Sequence, residues 1–201
     1  MATFAGPTQQ RRYSAAMEKI AANREPGTPV RVYISAGPKI MDRPQWDSWC
    51  VQIADALPKG VEVLHYRNVF GDDQAYDPSD WEQLADTLDG LVMVGSQKRA
   101  GSRVYLLGPV ARLELRSLIA HKPVLLWGHH QGLIPVIDCR SQVMARTNAA
   151  PRLKLVAPKR WKQDSDTLQA TLRALRPRGM RDHAAAAQGP LTAHPSSAPL
   201  R

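Results

Sequence analysis

The sequence predicts an α/β fold: a three-layer, Rossmann-like (flavodoxin-like) parallel sheet of about five strands with helices on both faces. Three observations carry this expectation. Short apolar runs rich in β-branched residues recur along the chain, each separated from the next by a stretch of helical period. The runs are apolar almost throughout rather than alternating, as strands covered on both faces are. The order strand, helix, strand repeats, which is the mark of parallel βαβ units.

The elements follow in chain order. Residues 8–24 suit a helix, with Tyr13, Met17 and Ile20 at helical spacing, stopped by Pro26-Gly27. VRVYISA (30–36) is the first strand, closed by Gly37-Pro38. In residues 44–57, Trp46, Trp49, Cys50, Ile53 and Leu57 share one helical face, and Pro44 suits a first turn. VEVLHY (61–66) is the second strand, after the turn Pro58-Lys59-Gly60. DPSDWEQLADTL (77–88) opens on cap residues and turns Trp81, Leu84, Ala85 and Leu88 inward. LVMVG (91–95) is the third strand. SQKRAGSR (96–103) reads as a flexible basic loop, continued by RVYLLG. Gly108-Pro109 opens a helix running to about His121, and PVLLW (123–127) is the fourth strand. IPVI (134–137) is a weaker fifth strand, KLVA (154–157) a sixth, and 164–175 a last helix. The domain expected is therefore 30–176, preceded by a partly helical extension (1–29). Residues 177–201 are rich in Pro, Ala, Ser and Gly and too poor in large apolar side chains to offset their ordering entropy, so disorder is expected there.

Composition narrows the function classes. No apolar run approaches the ~20 residues of a membrane span, and the first residues lack the basic-then-apolar order of a secretory signal. Mean hydropathy is −0.36. Two cysteines, Cys50 and Cys139, are too few for a disulfide scaffold or a four-cysteine zinc site. The expected setting is cytoplasmic, with both thiols reduced. The net charge of +9 is misleading as a sign of nucleic-acid binding. Residues 1–29 hold four Arg or Lys against two Glu, and 176–201 hold four Arg against one Asp. That leaves 19 cations against 15 anions in residues 30–175, so nucleic acid is possible but not favoured as a partner.

In parallel α/β sheets ligands bind beyond the carboxyl ends of the strands. That directs attention to the loops after Ala36, Val94 and Trp127. The helix that begins at Gly108-Pro109 carries Glu114, one of five glutamates in the chain. Leu107, Ala111 and Leu118 lie on its face of the helix, while Arg112 and Arg116 point away. A carboxylate in an apolar stripe is desolvated, which raises its pKa or demands a partner. Ser117 and His121 follow it along the helix. Gly108 lets the backbone approach a ligand, and the free N–H groups of the first turn attract anions. Lys98, Arg99, Ser102 and Arg103 offer contacts for a phosphate. Ser35, Ala36 and Gly37 are small, as a loop pressed against a ligand needs to be. No GxGxxG, GxxxxGK[ST] or GxSxG motif occurs. His129-His130 is a poor metal signal, and Cys50, on an apolar helix face, reads as core.

Three segments together resemble the nucleoside 2-deoxyribosyltransferase family and its Rossmann-like relatives. They are VYISAGPKIMDRPQW, with Tyr33, Gly37, Asp42 and Arg43; DWEQLADTLDGLVMVG, with Asp80 and Asp89; and GPVARLELRSLIAHKPVLL, with Glu114 before the HKPV turn. They span about residues 30–128. The resemblance implies Glu114 as nucleophile, Tyr33 as the tyrosine that orients it, and Asp80 as a base-recognising group. Ser35, Gly37, Asp42, Ser102 and Gly108 complete the expected substrate site. It implies a small-molecule nucleoside or nucleotide as ligand; a homo-oligomer is also expected, with no cofactor and no metal. Gly108 stands where the family has an acidic or polar residue, six positions before its nucleophile. The chain also lacks the PGGxGT run of the related phosphoribohydrolases. The expected activity is cleavage or transfer of an N-glycosidic bond. The alternative is a nucleotide-binding module without turnover on the same fold.

Overall fold

A computed structural model describes residues 6–71, 77–97, 99, 101–119, 121–137, 153–157 and 165–179. Its main sheet has five strands: β1 (Val30–Ala36), β2 (Val61–His65), β3 (Gly90–Val94), β6 (Val124–Gly128) and β7 (Gly132–Pro135), in the order β2-β1-β3-β6-β7. The first four are parallel, and β7 returns antiparallel to β6. The molecule is thus α/β with a mostly parallel sheet. The expected fifth strand exists, but it turns back in a hairpin and so cannot join as a parallel neighbour. Gly132, at φ +69°, supplies the left-handed residue that this turn needs.

The helices are α1 (Pro7–Asn23), α2 (Pro38–Met41), α3 (Trp46–Ala56), α4 (Tyr66–Phe70), α5 (Pro78–Thr87), α6 (Pro109–Leu118) and α7 (Asp166–Ala174). Alternate strand residues enter two separate cores, as the period of two requires. Tyr33, Leu91, Met93, Val124 and Leu126 pack with Trp81 and Ala85 of α5 and Ala111, Leu115 and Leu118 of α6. Val32, Ile34, Val92, Val94, Leu125 and Trp127 pack with Trp46 and Ile53 of α3 and Leu168 beside them in α7. The caps are those the residues allow. Asp77 accepts from the Ser79 N–H at 2.8 Å to start α5, and Ser165 accepts from Leu168 N–H to start α7.

The segment read as a flexible basic loop is partly ordered strand. β4 (Ser96–Gln97) and β5 (Val104–Leu107) form an antiparallel pair, and β8 (Leu153–Val156) joins β5 on its other side. VYLL alternates inward and outward, and Tyr105 and Leu107 enter the core beside α6. The expected sixth strand therefore belongs to this second, three-stranded sheet. Lys98 lies outside the described residues, as does Cys139.

The amino-terminal helix is docked. Met17 of α1 is buried against Ala170 and Ala174 of α7, with Tyr13 and Ile20 packed beside it. Arg24 ties this pair to the amino edge of the sheet. Its guanidinium meets Asp89 Oδ1 at 2.9 Å and donates to the Ala174 carbonyl at 3.0 Å, while Asp89 Oδ2 accepts from Arg31 N–H at 2.9 Å. Asp89 precedes β3, so it stands at the edge opposite the ligand-binding one. Within the segment expected to be disordered, Pro177–Gly179 are tied in: Gly27 N–H donates to the Arg178 carbonyl, and Arg178 Nη1 to the Arg24 carbonyl, both at 2.9 Å. Residues 180–201 lie outside the described part. No helix among the described residues is long and apolar enough to cross a membrane.

Candidate active site

The parallel strands end at their carboxyl edge in the loops that follow Ala36, Val94 and Gly128. Ser35 is the last-but-one residue of β1, with its side chain on the same face as Tyr33 and its register partner Met93. On that face α6 crosses the sheet. Its period brings Ala111, Glu114, Leu115 and Leu118 inward together. Glu114 is only 3% exposed and Ser35 is fully buried. The Ser35 hydroxyl donates a short hydrogen bond to Glu114 Oε2.

The electrostatics follow from this enclosure. Burial pushes the Glu114 carboxyl up to about 7, and the Ser35 hydrogen bond opposes that rise. No cation forms an ion pair with it among the described residues. Near neutrality the group therefore holds comparable populations of acid and carboxylate. The helix around it is fixed from its other side. Trp81 Nε1–H donates to Ser117 Oγ at 3.1 Å, and the Ser117 hydroxyl donates to the Glu114 carbonyl at 2.9 Å. A two-bond relay thus ties α5 to the turn of α6 that carries the carboxylate.

The other predicted residues are distributed around this centre. Tyr33 is buried two residues before Ser35, and its ring packs against Trp81 with centroids 5.2 Å apart. It therefore belongs to the packing that backs Glu114. Gly37 caps the short helix α2 directly after β1, and Gly108 caps α6, its carbonyl accepting from Arg112 N–H at 3.0 Å. Asp80 sits half-buried in the first turn of α5, next to Trp81. Asp42 stands at the exposed rim, paired with Arg67 at 3.1 Å. Ser102 turns inward on its own hairpin: its hydroxyl accepts from Val104 N–H at 3.1 Å, and its carbonyl accepts from Gln97 Nε2 at 2.8 Å. Ser35 and Glu114 are thus brought into contact, with Tyr33 behind them. No bond joins Asp42 or Ser102 to that pair.

Two features were not apparent from the sequence. Ser35 was legible only as a small residue, because nothing local pairs it with a carboxylate 79 positions away. The second is an aromatic stack at the end of β6. The His129 ring lies 4.4 Å from Trp49 at 27° and 5.6 Å from Tyr105. Gly95, just after β3, lets β5 pass close by, since a Cβ there would come within 2.9 Å of Tyr105 Cβ. Burial lowers the His129 pKa, the Gly95 carbonyl opposes this, and Arg43 and His130 lower it further. Cys50 is half-buried on α3, where burial, helped by Asp47 and opposed by Arg67, pushes its thiol up to about 11. That is the opposite of an activated nucleophile. Among the described residues no three His, Cys, Asp or Glu side chains gather as a metal site. No protein-family model, no curated protein and no solved structure matches the chain.

Proposed function

We propose that the protein cleaves or transfers the N-glycosidic bond of a nucleoside or nucleotide, with Glu114 as nucleophile, on a three-layer Rossmann-like domain. The observation that carries this reading is the Glu114 carboxylate: buried among apolar side chains at the ligand-binding edge, without a cation among the described residues, and held by one serine hydroxyl. Breaking an N-glycosidic bond develops positive charge at the anomeric carbon, and a desolvated anion stabilises that charge better than a hydrated one. In the first step a Glu114 oxygen bonds to the anomeric carbon. The electron pair of the carbon–nitrogen bond leaves with the base, which takes up a proton. Water or a second base then attacks the same carbon and releases Glu114 as carboxylate. Asp80 is favoured over Asp42 as the group that meets the departing base. It neighbours Trp81, which is bonded to α6, whereas Asp42 is exposed and held by Arg67.

A second reading is favoured by the same carboxyl. Below pH 7 it is mostly protonated, when it donates to a ligand but cannot attack. A nucleotide-binding module without turnover would use it so. Incubation with a panel of nucleosides and nucleoside 5′-monophosphates, with and without acceptor bases, separates the readings. Chromatographic appearance of free base that is absent with Glu114→Gln supports catalysis. Saturable binding with no base released supports the module.

A further inference from the structure

The polar groups on the two sides of the carboxyl edge are treated differently. On the α6 side, Ser35, Glu114, Trp81 and Ser117 satisfy one another. On the α3 side, the buried ring nitrogens of Trp46 (Nε1), Trp127 (Nε1) and His129 (Nδ1) have no hydrogen-bond partner. Buried polar atoms without partners are uncommon and mark a place where a further group is to be supplied. Both indoles are donors only. Arg43 stands one turn before Trp46, whose N–H donates to its carbonyl at 3.0 Å and whose helix carries the Trp49 that stacks on His129. Arg43 is exposed and makes no ion pair among the described residues, while its neighbour Asp42 is already taken by Arg67. Burial first, and then the charges of Arg43 and His130, disfavour the cationic form of His129. This side of the edge is rich in donors, and of its two nearest carboxylates Asp42 is held by Arg67 while Asp47 lies beside Cys50 on α3.

Its spacing from Glu114 follows from the sheet register. Ser35 pairs with Met93 and Met93 with Leu126, so these three lie in one row across β1, β3 and β6. His129 is three residues beyond Leu126. Ideal sheet spacings put the α-carbon of Gly128, the last residue of β6, roughly 12 Å from that of Ser35, and His129 follows it in the turn. That is too far for both to act on one atom. It suits a ligand that carries its two recognised groups at opposite ends.

We propose that the edge formed by Arg43, His129 and the Trp46, Trp49 and Trp127 rings binds a phosphate monoester, so that the ligand of this site is a nucleoside 5′-monophosphate with its sugar toward Glu114. The sugar end rests on the N-glycosidic reading; the phosphate end does not. A dianion between Arg43 and His129 supplies the acceptors that the donors lack, and it favours the imidazolium that Arg43 otherwise opposes. Trp49, stacked on His129, holds the ring in place for this.

The test uses the full-length protein and ribose 5-phosphate, ribose and inorganic phosphate as probes. The His129 ring resonance is identified by its loss in His129→Gln and followed by NMR. Ribose 5-phosphate shifts that resonance and raises the His129 pKa, and ribose at equal concentration does neither. Arg43→Met weakens ribose 5-phosphate binding roughly tenfold or more, and Arg43→Lys weakens it less. An unmoved His129 resonance, or Arg43→Met binding as tightly as wild type, overturns the proposal. Inorganic phosphate binding as tightly as ribose 5-phosphate overturns the nucleotide assignment, since the sugar then adds nothing. A protein that releases base from nucleosides but ignores ribose 5-phosphate refutes this site and leaves the Glu114 chemistry standing. One that binds ribose 5-phosphate at His129 and cleaves nothing does the reverse.

Discussion

Ser35, the last-but-one residue of β1, donates a hydrogen bond to the buried carboxylate of Glu114 on α6. The pair joins strand and helix across 79 residues of sequence. It is also the balance point of the site's electrostatics, since burial raises the carboxyl and this one bond lowers it.

If Glu114 attacks as a carboxylate, kcat/KM for base release rises with pH along a limb centred near 7, where the group ionises. Ser35→Ala removes the bond that favours the anion, so the limb moves to higher pH. Glu114→Gln loses turnover by several orders of magnitude, because the covalent route disappears. Tyr33→Phe loses far less, because its ring packs on Trp81 and the phenylalanine ring keeps that packing. A pH profile unchanged in Ser35→Ala would separate the observed limb from Glu114.

The same carboxyl makes a stability prediction that needs no substrate. Its folded pKa, about 7, stands above the ordinary 4.5. Between those values the folded state holds more protons than the unfolded one, so stability falls as pH rises. The contribution is fully present below about 4.5 and lost above about 7, a swing on the order of 3 kcal/mol. Glu114→Gln does not titrate. Its stability relative to wild type should therefore climb from pH 4.5 to 7 and level off above, measured by denaturant unfolding across that range. A constant difference would mean that the carboxyl is not desolvated.

The relay from Trp81 through Ser117 to the Glu114 carbonyl predicts a smaller effect. Ser117→Ala leaves the partly buried Trp81 N–H without its acceptor, at a cost of about 1–2 kcal/mol. It should also loosen the turn that carries Glu114, so kcat falls more than KM rises. Trp81→Phe removes donor and indole together and costs more, because Trp81 is a core residue packed on Tyr33. Urea unfolding and single-turnover rates on the two variants check the order.

The strands of the main sheet were legible because both faces are covered: VRVYISA and LVMVG are apolar whatever their neighbours. The hairpin of β4 and β5 was not, because SQKRAGSRV is polar at its tip and each strand is short. Its partner β8 is nearly 50 residues further on, and no local pattern announces that pairing. Glu114 was legible from helical period alone, since a carboxylate in an apolar stripe is conspicuous. Its partner was not, because a serine at the end of a strand is ordinary until the fold shows what stands opposite. The unpartnered ring nitrogens of Trp46, Trp127 and His129 escaped for the same reason. Aromatic residues in apolar runs read as core, and period says nothing about whether an indole N–H finds an acceptor.

The amino edge carries the last prediction. The Arg24 side chain is 7% exposed, and its guanidinium bonds both Asp89 and the Ala174 carbonyl. It thereby locks α1, α7 and the start of β3 together. Arg24→Met leaves Asp89, which is itself largely buried, with the Arg31 N–H but no cation. Breaking such a pair should cost about 2–4 kcal/mol. Arg173, paired with Glu18 on the same helices but half-exposed, provides the comparison: Arg173→Met should cost less than about 1 kcal/mol. The chain end tests the same clamp from outside. Stopping after Gly179 keeps the Arg178 carbonyl for Gly27 and its guanidinium for the Arg24 carbonyl; stopping after Arg176 removes both. Thermal unfolding should therefore show a midpoint close to wild type for the first truncation and a lower one for the second. Equal midpoints would mean that Pro177–Gly179 contribute nothing to the clamp. Equal losses in Arg24→Met and Arg173→Met would mean that burial does not set the difference between the two arginines.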